Sequence, residues 1–180
     1  MTPPSPLLLD ACVVLSLYAS RRMEEILGTS EGPFLVAEAV LHETLYVHVN
    51  VGGVREKEPV VLDPLLTAGI LAVVEPESED ELLTYFDLAL QLDDGEAMSG
   101  AIALHRGYRI ATDDGKMIRL LGQRLPIVGT LDLVRAWVEA ESMAPQPVRE
   151  ALIGIAERGY VPGRTHPHRH WWDQMFPGMA

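Results

Sequence analysis

Short apolar runs separated by long helical stretches constrain this chain more than any other feature. Leu7-Leu8-Leu9 contains no polar residue and stops at Asp10. A continuous run of this kind suits a strand buried on both faces, as in a parallel sheet covered by helices. Phe34-Leu35-Val36, Ile70-Leu71-Ala72-Val73-Val74 and Arg109-Ile110-Ala111-Thr112 read as further strands, the third supported by its β-branched content. Leu125-Pro126-Ile127-Val128 is expected at a sheet edge, because proline donates nothing to a ladder.

Helices fill the intervals. Ala11 to Leu27 reads as one helix, with Gly28 where its C-terminal cap belongs. From Ala37 to about Val49, the positions Val40, Leu41, Thr44, Leu45 and Val47 fall at three- and four-residue steps, which predicts a second helix broken by Gly52-Gly53. Residues 55–59 read as a polar connection. Glu79 to Leu92 and Gly95 to Arg106 read as two helices parted at Asp93-Asp94-Gly95; Asp113-Asp114-Gly115 opens another to about Leu121. Leu131 to Glu141 and Pro147 to Arg158 close the pattern. Strands alternating with helices predict a three-layer α/β/α sandwich with a mainly parallel sheet of roughly five strands. One domain is expected over 1–180, with its core over about 7–130 and a helical extension and tail over 131–180.

A folded chain of 180 residues buries roughly 70% of its unfolded surface, so neither disulfides nor a structural metal is required. The lone Cys12 excludes an internal disulfide framework and favours a reducing compartment. No apolar stretch reaches the ~20 residues of a membrane span, and Met1-Thr2-Pro3-Pro4-Ser5-Pro6 lacks the basic start of a signal peptide. A cytoplasmic protein without membrane contact is expected. The net charge of −12 is concentrated: no Lys or Arg occurs between Lys57 and Arg106, an interval holding eleven acids. A uniformly basic nucleic-acid surface is thereby excluded. Five bases then follow closely, Arg106, Arg109, Lys116, Arg119 and Arg124, a set suited to tracking a phosphate backbone.

In open parallel sheets, ligands bind outside the carboxyl ends of the strands. Asp10 closes the first strand, and Asp113 and Asp114 close the fourth; Glu96 stands near the start of the preceding helix, and Glu43 in the helix after the second strand. Each has an ordinary reading: Asp10 and Asp113 as helix caps, Asp93 with Glu96 as a capping box, Glu43 as a solvated residue. Gathered on one rim, the same acids would repel each other unless protons or a cation compensate. Carboxylate oxygens without Cys or imidazole select Mg²⁺ or Mn²⁺ over zinc. Such a cluster suits metal-assisted phosphodiester hydrolysis, and it reconciles an acidic protein with a polyanionic substrate.

Leu7-Leu8-Leu9-Asp10, Glu43 within Ala39-Val40-Leu41-His42-Glu43-Thr44-Leu45, and Gly95-Glu96-Ala97 leading through Ala101-Ile102-Ala103-Leu104 to Ile110-Ala111-Thr112-Asp113-Asp114 together resemble the PIN-domain nucleases. The resemblance runs from Leu7 to about Thr130 and is most specific in the step from Glu96 to Asp114. It implies a divalent-metal-dependent endoribonuclease using Mg²⁺ or Mn²⁺. Asp10, Glu43, Glu96 and Asp114 correspond to the family's acids, Asp113 to a neighbour or substitute, and Thr112 to its small hydroxyl residue. Glu96 stands where many members carry Asp. Many small members are VapC-type toxins, so an RNA substrate, an antitoxin protein and homodimerisation are implied as well. The segment 125–131 and the helices beyond resemble a family branch with a Gly-Glu motif.

Other chemistries fail on spacing. His42-Glu43 is followed by Tyr46 where a zinc protease needs its second histidine, and Gly28-Thr29-Ser30-Glu31-Gly32 lacks the lysine of a phosphate loop. Position 12 is Cys where a phosphoaspartyl hydrolase needs its second Asp, and Cys12 itself reads as a small core residue. His166, His168 and His170 would share one side of an extended segment, but Pro167 and the terminal position predict a loosely ordered tail. The competing function is a non-catalytic, nuclease-like interaction module, favoured by Glu96 in place of Asp and by the acidic stretch over 58–105.

Overall fold

The structure, a computed structural model, describes residues 4–29, 32–44 and 46–176. β1 (Leu7–Leu9) is wholly buried and turns at Asp10 into α1 (Ala11–Ala19). Arg21 then takes a left-handed backbone, φ 61°, before α2 (Met23–Thr29). The single helix expected over 11–27 is therefore two. Left-handed backbone is costly for a residue with a Cβ, and here the Arg21 guanidinium meets the Glu58 carboxylate with Nη2–Oε2 at 2.6 Å.

A second correction follows β2 (Phe34–Ala37). α3 (Glu38–Glu43) is one short turn of helix, and the chain from 46 onward is a hairpin of β3 (Tyr46–Val51) and β4 (Val54–Pro59). Gly52 and Gly53, at φ 59° and 87°, form its two-residue turn, the geometry that matches strand twist. The apolar steps after Thr44 thus belong to a two-residue period: Val47 is buried, while Tyr46 and His48 share the opposite face. The connection expected over 55–59 is a strand in which no side chain is buried, held by pairing with β3. Leu45 and the residues at 1–3 of the expected N-terminal reading lie outside the described residues.

α4 (Asp63–Thr67), with Pro64 in its first turn, precedes β5 (Leu71–Val74). α5 (Glu79–Ala89) and α6 (Asp94–Arg106) form an antiparallel pair, and β6 (Arg109–Ala111), α7 (Gly115–Leu121) and β7 (Ile127–Val128) follow. α8 (Thr130–Ala140), α9 (Pro145–Arg158) and α10 (Arg169–Met175) complete the chain. The five strands β5-β2-β1-β6-β7 form a wholly parallel sheet, with Leu7 opposite both Phe34 and Arg109, and β7 at an edge as its proline predicts. α1, α2, α8 and α9 pack together on one face; α6 covers the other beneath α5 and α7, giving the expected three layers. α6 is confined on all sides, and its buried positions are small: Gly95, Ala97, Ser99, Gly100, Ala101 and Ala103.

Leu152, Ile155 and the fully buried Trp137 belong to the same apolar cluster as Leu7–Leu9, so the C-terminal helices complete the core. The tail is likewise packed rather than loose. Trp172 on α10 is 5% exposed and sits between Tyr160 and Phe176, at ring-centroid distances of 6.4 and 5.2 Å. Burial of a large aromatic outweighs the disordering effect expected of Pro167. Among the described residues no helix is long and apolar enough to cross a membrane.

Candidate active site

The chain leaves β1 toward β2 on one side and reaches β6 on the other, so the strand order reverses between β1 and β6. This switch point opens a crevice at the carboxyl ends of both strands. Asp10 stands at one lip and Thr112-Asp113-Asp114 at the other. Asp10, 1% exposed, is held on both oxygens: Oδ1 accepts the Ala11 N–H at 2.7 Å, and Oδ2 accepts the Thr112 hydroxyl at 2.8 Å and the Cys12 thiol at 3.0 Å. Burial pushes its carboxyl above the usual range, these donors work against that, and the charge of Asp114 adds to it. The buried Thr112 hydroxyl also accepts the Asp114 N–H at 3.1 Å, joining the two lips. Asp114 caps α7, accepting the N–H groups of Lys116 and Met117 at 2.7 and 2.8 Å.

α6 points its first turn at the same rim. Glu96 completes a capping box there, accepting the Asp93 N–H at 3.4 Å. Its carboxyl is pushed up to about 7, by burial first and then by the charges of Asp10 and Asp114. Glu43, at the end of α3, accepts the Gly95 N–H at 2.8 Å. A Cβ on Gly95 would stand 2.5 Å from Glu43 Oε2, so the glycine is what admits this carboxylate to the helix start, where the dipole favours it. The carboxyl of Glu43 is raised, by burial and then by Asp10, Asp93 and Asp94, against the Gly95 hydrogen bond. Asp10, Glu43, Glu96 and Asp114 thus occupy one electrostatic neighbourhood, although they come from four separate elements.

Asp113 does not join them. Its side chain turns toward α8 and α9, where it receives the Thr130 N–H at 3.1 Å, the Thr130 hydroxyl, and the Tyr160 hydroxyl at 3.4 Å. Of the adjacent pair, Asp114 caps α7 and Asp113 serves the start of α8. A cavity of about 470 Å³ adjoins Asp113, walled by Ile118, Ile127, Tyr160 and His166. His166 and His168 have ring centroids 5.7 Å apart, but His168 Nε2 meets Asp132 Oδ1 at 2.7 Å and His170 lies against Gln174 on α10 at 3.0 Å.

The expected basic track divides. Lys116 and Arg119 lie on exposed positions of α7 next to Asp114. Arg106, Arg109 and Arg124 lie at the amino ends of β6 and β7, away from the crevice. Arg106 is also engaged, by Glu81 at 2.7 Å, Glu77 at 3.1 Å and the Glu75 carbonyl at 2.7 Å, and Arg109 Nε donates to the Ser5 carbonyl at 3.1 Å. Strand direction decides this: residues that enter a parallel strand and residues that leave it stand at opposite ends.

Three participants escape a sequence reading. Cys12 is a donor to Asp10, not simply core, and burial beside that carboxylate raises its thiol so that it remains protonated. Gly95 is read there as a helix break and as part of the Gly95-Glu96-Ala97 segment, not as the place where Glu43 docks. Arg158, at the end of α9, lies close enough to Cys12, Asp113 and Asp10 to feel their charge, and its buried Nε has no hydrogen-bond partner among the described residues. No local spacing signals a contact made across some 150 residues of chain.

In donor type and charge, though not in spacing, the rim suits a hard divalent cation: its acids are oxygen donors, and Asp10, Glu43 and Glu96 are raised by burial first and then by the charge of the others. In this arrangement, no group of three or more His, Cys, Asp or Glu among the described residues is placed so that it could hold a metal ion. No protein-family model matches the chain, and no curated protein matches it.

Proposed function

We propose that this protein is a Mg²⁺- or Mn²⁺-dependent endoribonuclease of the PIN type whose reaction takes place in the crevice between β1 and β6. One observation carries the reading: acids from four separate elements share one electrostatic neighbourhood at the switch point, where burial and then the charges of Asp10 and Asp114 push Glu96 up to about 7. Asp10, Glu96 and Asp114 would hold the cation, with Glu43 alongside. When bound, such an ion activates water and neutralises charge on the leaving oxygen. The protein's own part is preorganisation. The Thr112 hydroxyl and Cys12 thiol fix the Asp10 carboxylate, and the Gly95 N–H fixes Glu43. A carboxyl raised in this way, as Glu96 is, holds its proton to higher pH than a free glutamate, and that proton must leave before the group can act as a ligand. An antitoxin partner and homodimerisation follow from the resemblance, and a cytoplasmic setting from the lone Cys12, which favours a reducing compartment.

The non-catalytic module remains the second reading, favoured by the absence of a closed ligand group among the described residues. Calorimetry with Mn²⁺, paired with an RNA cleavage assay, separates the two. The enzyme requires micromolar or tighter binding that Asp10→Asn abolishes, together with a loss of cleavage on the order of a thousandfold. No binding at millimolar Mn²⁺ selects the module. Cleavage retained in both Asp10→Asn and Asp114→Asn would remove the assigned roles.

A further inference from the structure

An acidic protein that handles RNA needs a local cationic surface, and three of the five bases in the expected track lie at the wrong end of the sheet. The hairpin β3–β4 supplies a different set. Its register pairs His48 with Lys57 and Asn50 with Arg55, so strand alternation puts Tyr46, His48, Asn50, Arg55 and Lys57 on one face. The opposite face carries Val47, packed down where β3 meets α1 and α9, and Glu58, which is paired with Arg21. Arg55 and Lys57 are exposed, and Tyr46 is 40% exposed. Lys57 Nζ stands 3.9 Å from the Tyr46 ring centroid, and His48 meets that ring edge-on at 5.4 Å. Aromatic faces interleaved with cations form a stacking platform for unpaired bases, with charges placed for their phosphates.

The platform is continuous with the crevice. A cleft of about 340 Å³ is lined by Tyr46 and His48 on one side and by Glu43 and Arg158 on the other. Arg158 is thus a cation at the junction, its buried Nε without a protein partner among the described residues. We propose that the outer face of the β3–β4 hairpin, with Arg158 at its inner end, binds a single-stranded nucleic acid and leads it into the carboxylate crevice. The choice of RNA as ligand rests on the ribonuclease reading. Charge complementarity selects the occupant, and the aromatic rings favour a nucleic acid over an acidic polypeptide, which offers nothing to stack.

The test is fluorescence anisotropy of the full chain with a short labelled RNA of mixed sequence, in EDTA so that nothing is cut, over a range of salt. Arg55→Gln with Lys57→Gln should weaken binding about tenfold or more and reduce the slope of log K against log salt by about 1.4. Tyr46→Leu should cost roughly fivefold or more for RNA and nothing for inorganic polyphosphate, which has no bases. Arg158→Gln should weaken binding by about fivefold. Arg124→Gln, at the far end of the sheet, should stay within about twofold. All three hairpin positions are exposed, so melting temperatures should be unchanged. The proposal is overturned if the hairpin variants bind RNA like the wild type, if the wild type binds none, or if Tyr46→Leu leaves RNA binding intact while the charge variants lose binding to poly-glutamate. That last result would mark a protein partner. The two readings fail separately: hairpin-dependent binding without Mn²⁺-dependent cleavage removes only the nuclease, and cleavage with hairpin-independent binding removes only this path.

Discussion

The two ends of α6 carry carboxylates in opposite electrostatic states. Beside its last turn, Glu81 of α5, 3% exposed, is gripped by Arg106 at 2.7 and 2.9 Å and held down to about 2. At its first turn, ten residues and about 15 Å away, Glu96 is pushed up to about 7, by burial first and then by the charges of Asp10 and Asp114. Residue type is shared and both carboxylates lie beside α6; the difference lies in whether a cation was built in. The Glu81 end has been neutralised by the fold itself. The Glu96 end combines burial with repulsion from Asp10 and Asp114, and folding leaves both in place. Acid content therefore says little about function in this chain, and pairing says a great deal.

Removing the built-in cation should give the largest effect. Arg106→Met leaves Glu81 buried and unpaired, at a cost of about 3 kcal/mol, read as a fall in the urea midpoint. Adding Glu81→Leu should recover most of that loss, since an apolar pair of similar volume replaces a buried ion pair at little cost. If Arg106→Met is neutral, the two ends of α6 do not differ in the way described.

Glu96→Gln should act in the opposite direction and more weakly. A carboxyl raised from 4.5 to about 7 binds its proton more tightly in the folded state. Its contribution is thus full below pH 4.5 and is lost as pH rises to 7. Glu81, lowered to about 2, contributes stability that is present above pH 4.5 and lost on acidification toward 2. In cation-free buffer at pH 8, Glu96→Gln should gain on the order of 1 kcal/mol after allowing for solvent screening, with no gain at pH 4. Thermal melts across that range measure it. A gain independent of pH would show that the Glu96 carboxyl is not raised in the folded protein.

The same contrast explains what a sequence reader can and cannot see. β1 with Asp10, and α6 with β6 and Asp114, are legible because buried parallel strands are apolar without interruption and helix starts carry recognisable caps. The hairpin is not: β4 buries no side chain, and Val47 and Val49 fit a helical period nearly as well as a strand period. The Gly52-Gly53 turn was its one local signal. The break at Arg21 has no signal, because a non-glycine in a left-handed backbone announces nothing. Asp113 and Asp114 are neighbours in sequence whose carboxylates serve different helices, and only the backbone turn after β6 separates their roles. Arg158 enters through tertiary packing alone.

Two glycines of α6 offer the finest version of the comparison. Gly100 is crowded by Leu121 and Leu88, with a Cβ 2.8 and 3.0 Å from their methyl carbons, so Gly100→Ala overpacks the helix and should cost about 1 to 3 kcal/mol. At Gly95 the added methyl meets only the tip of Glu43, a side chain free to swing aside. The helix gains propensity from alanine while losing one hydrogen bond, and these terms nearly cancel. Gly95→Ala should therefore change stability by less than about 1 kcal/mol and still lower Mn²⁺ affinity and RNA cleavage about tenfold, because Glu43 no longer reaches its place. Undiminished cleavage in a stable Gly95→Ala would remove Glu43 from the site and leave the other three acids to carry it.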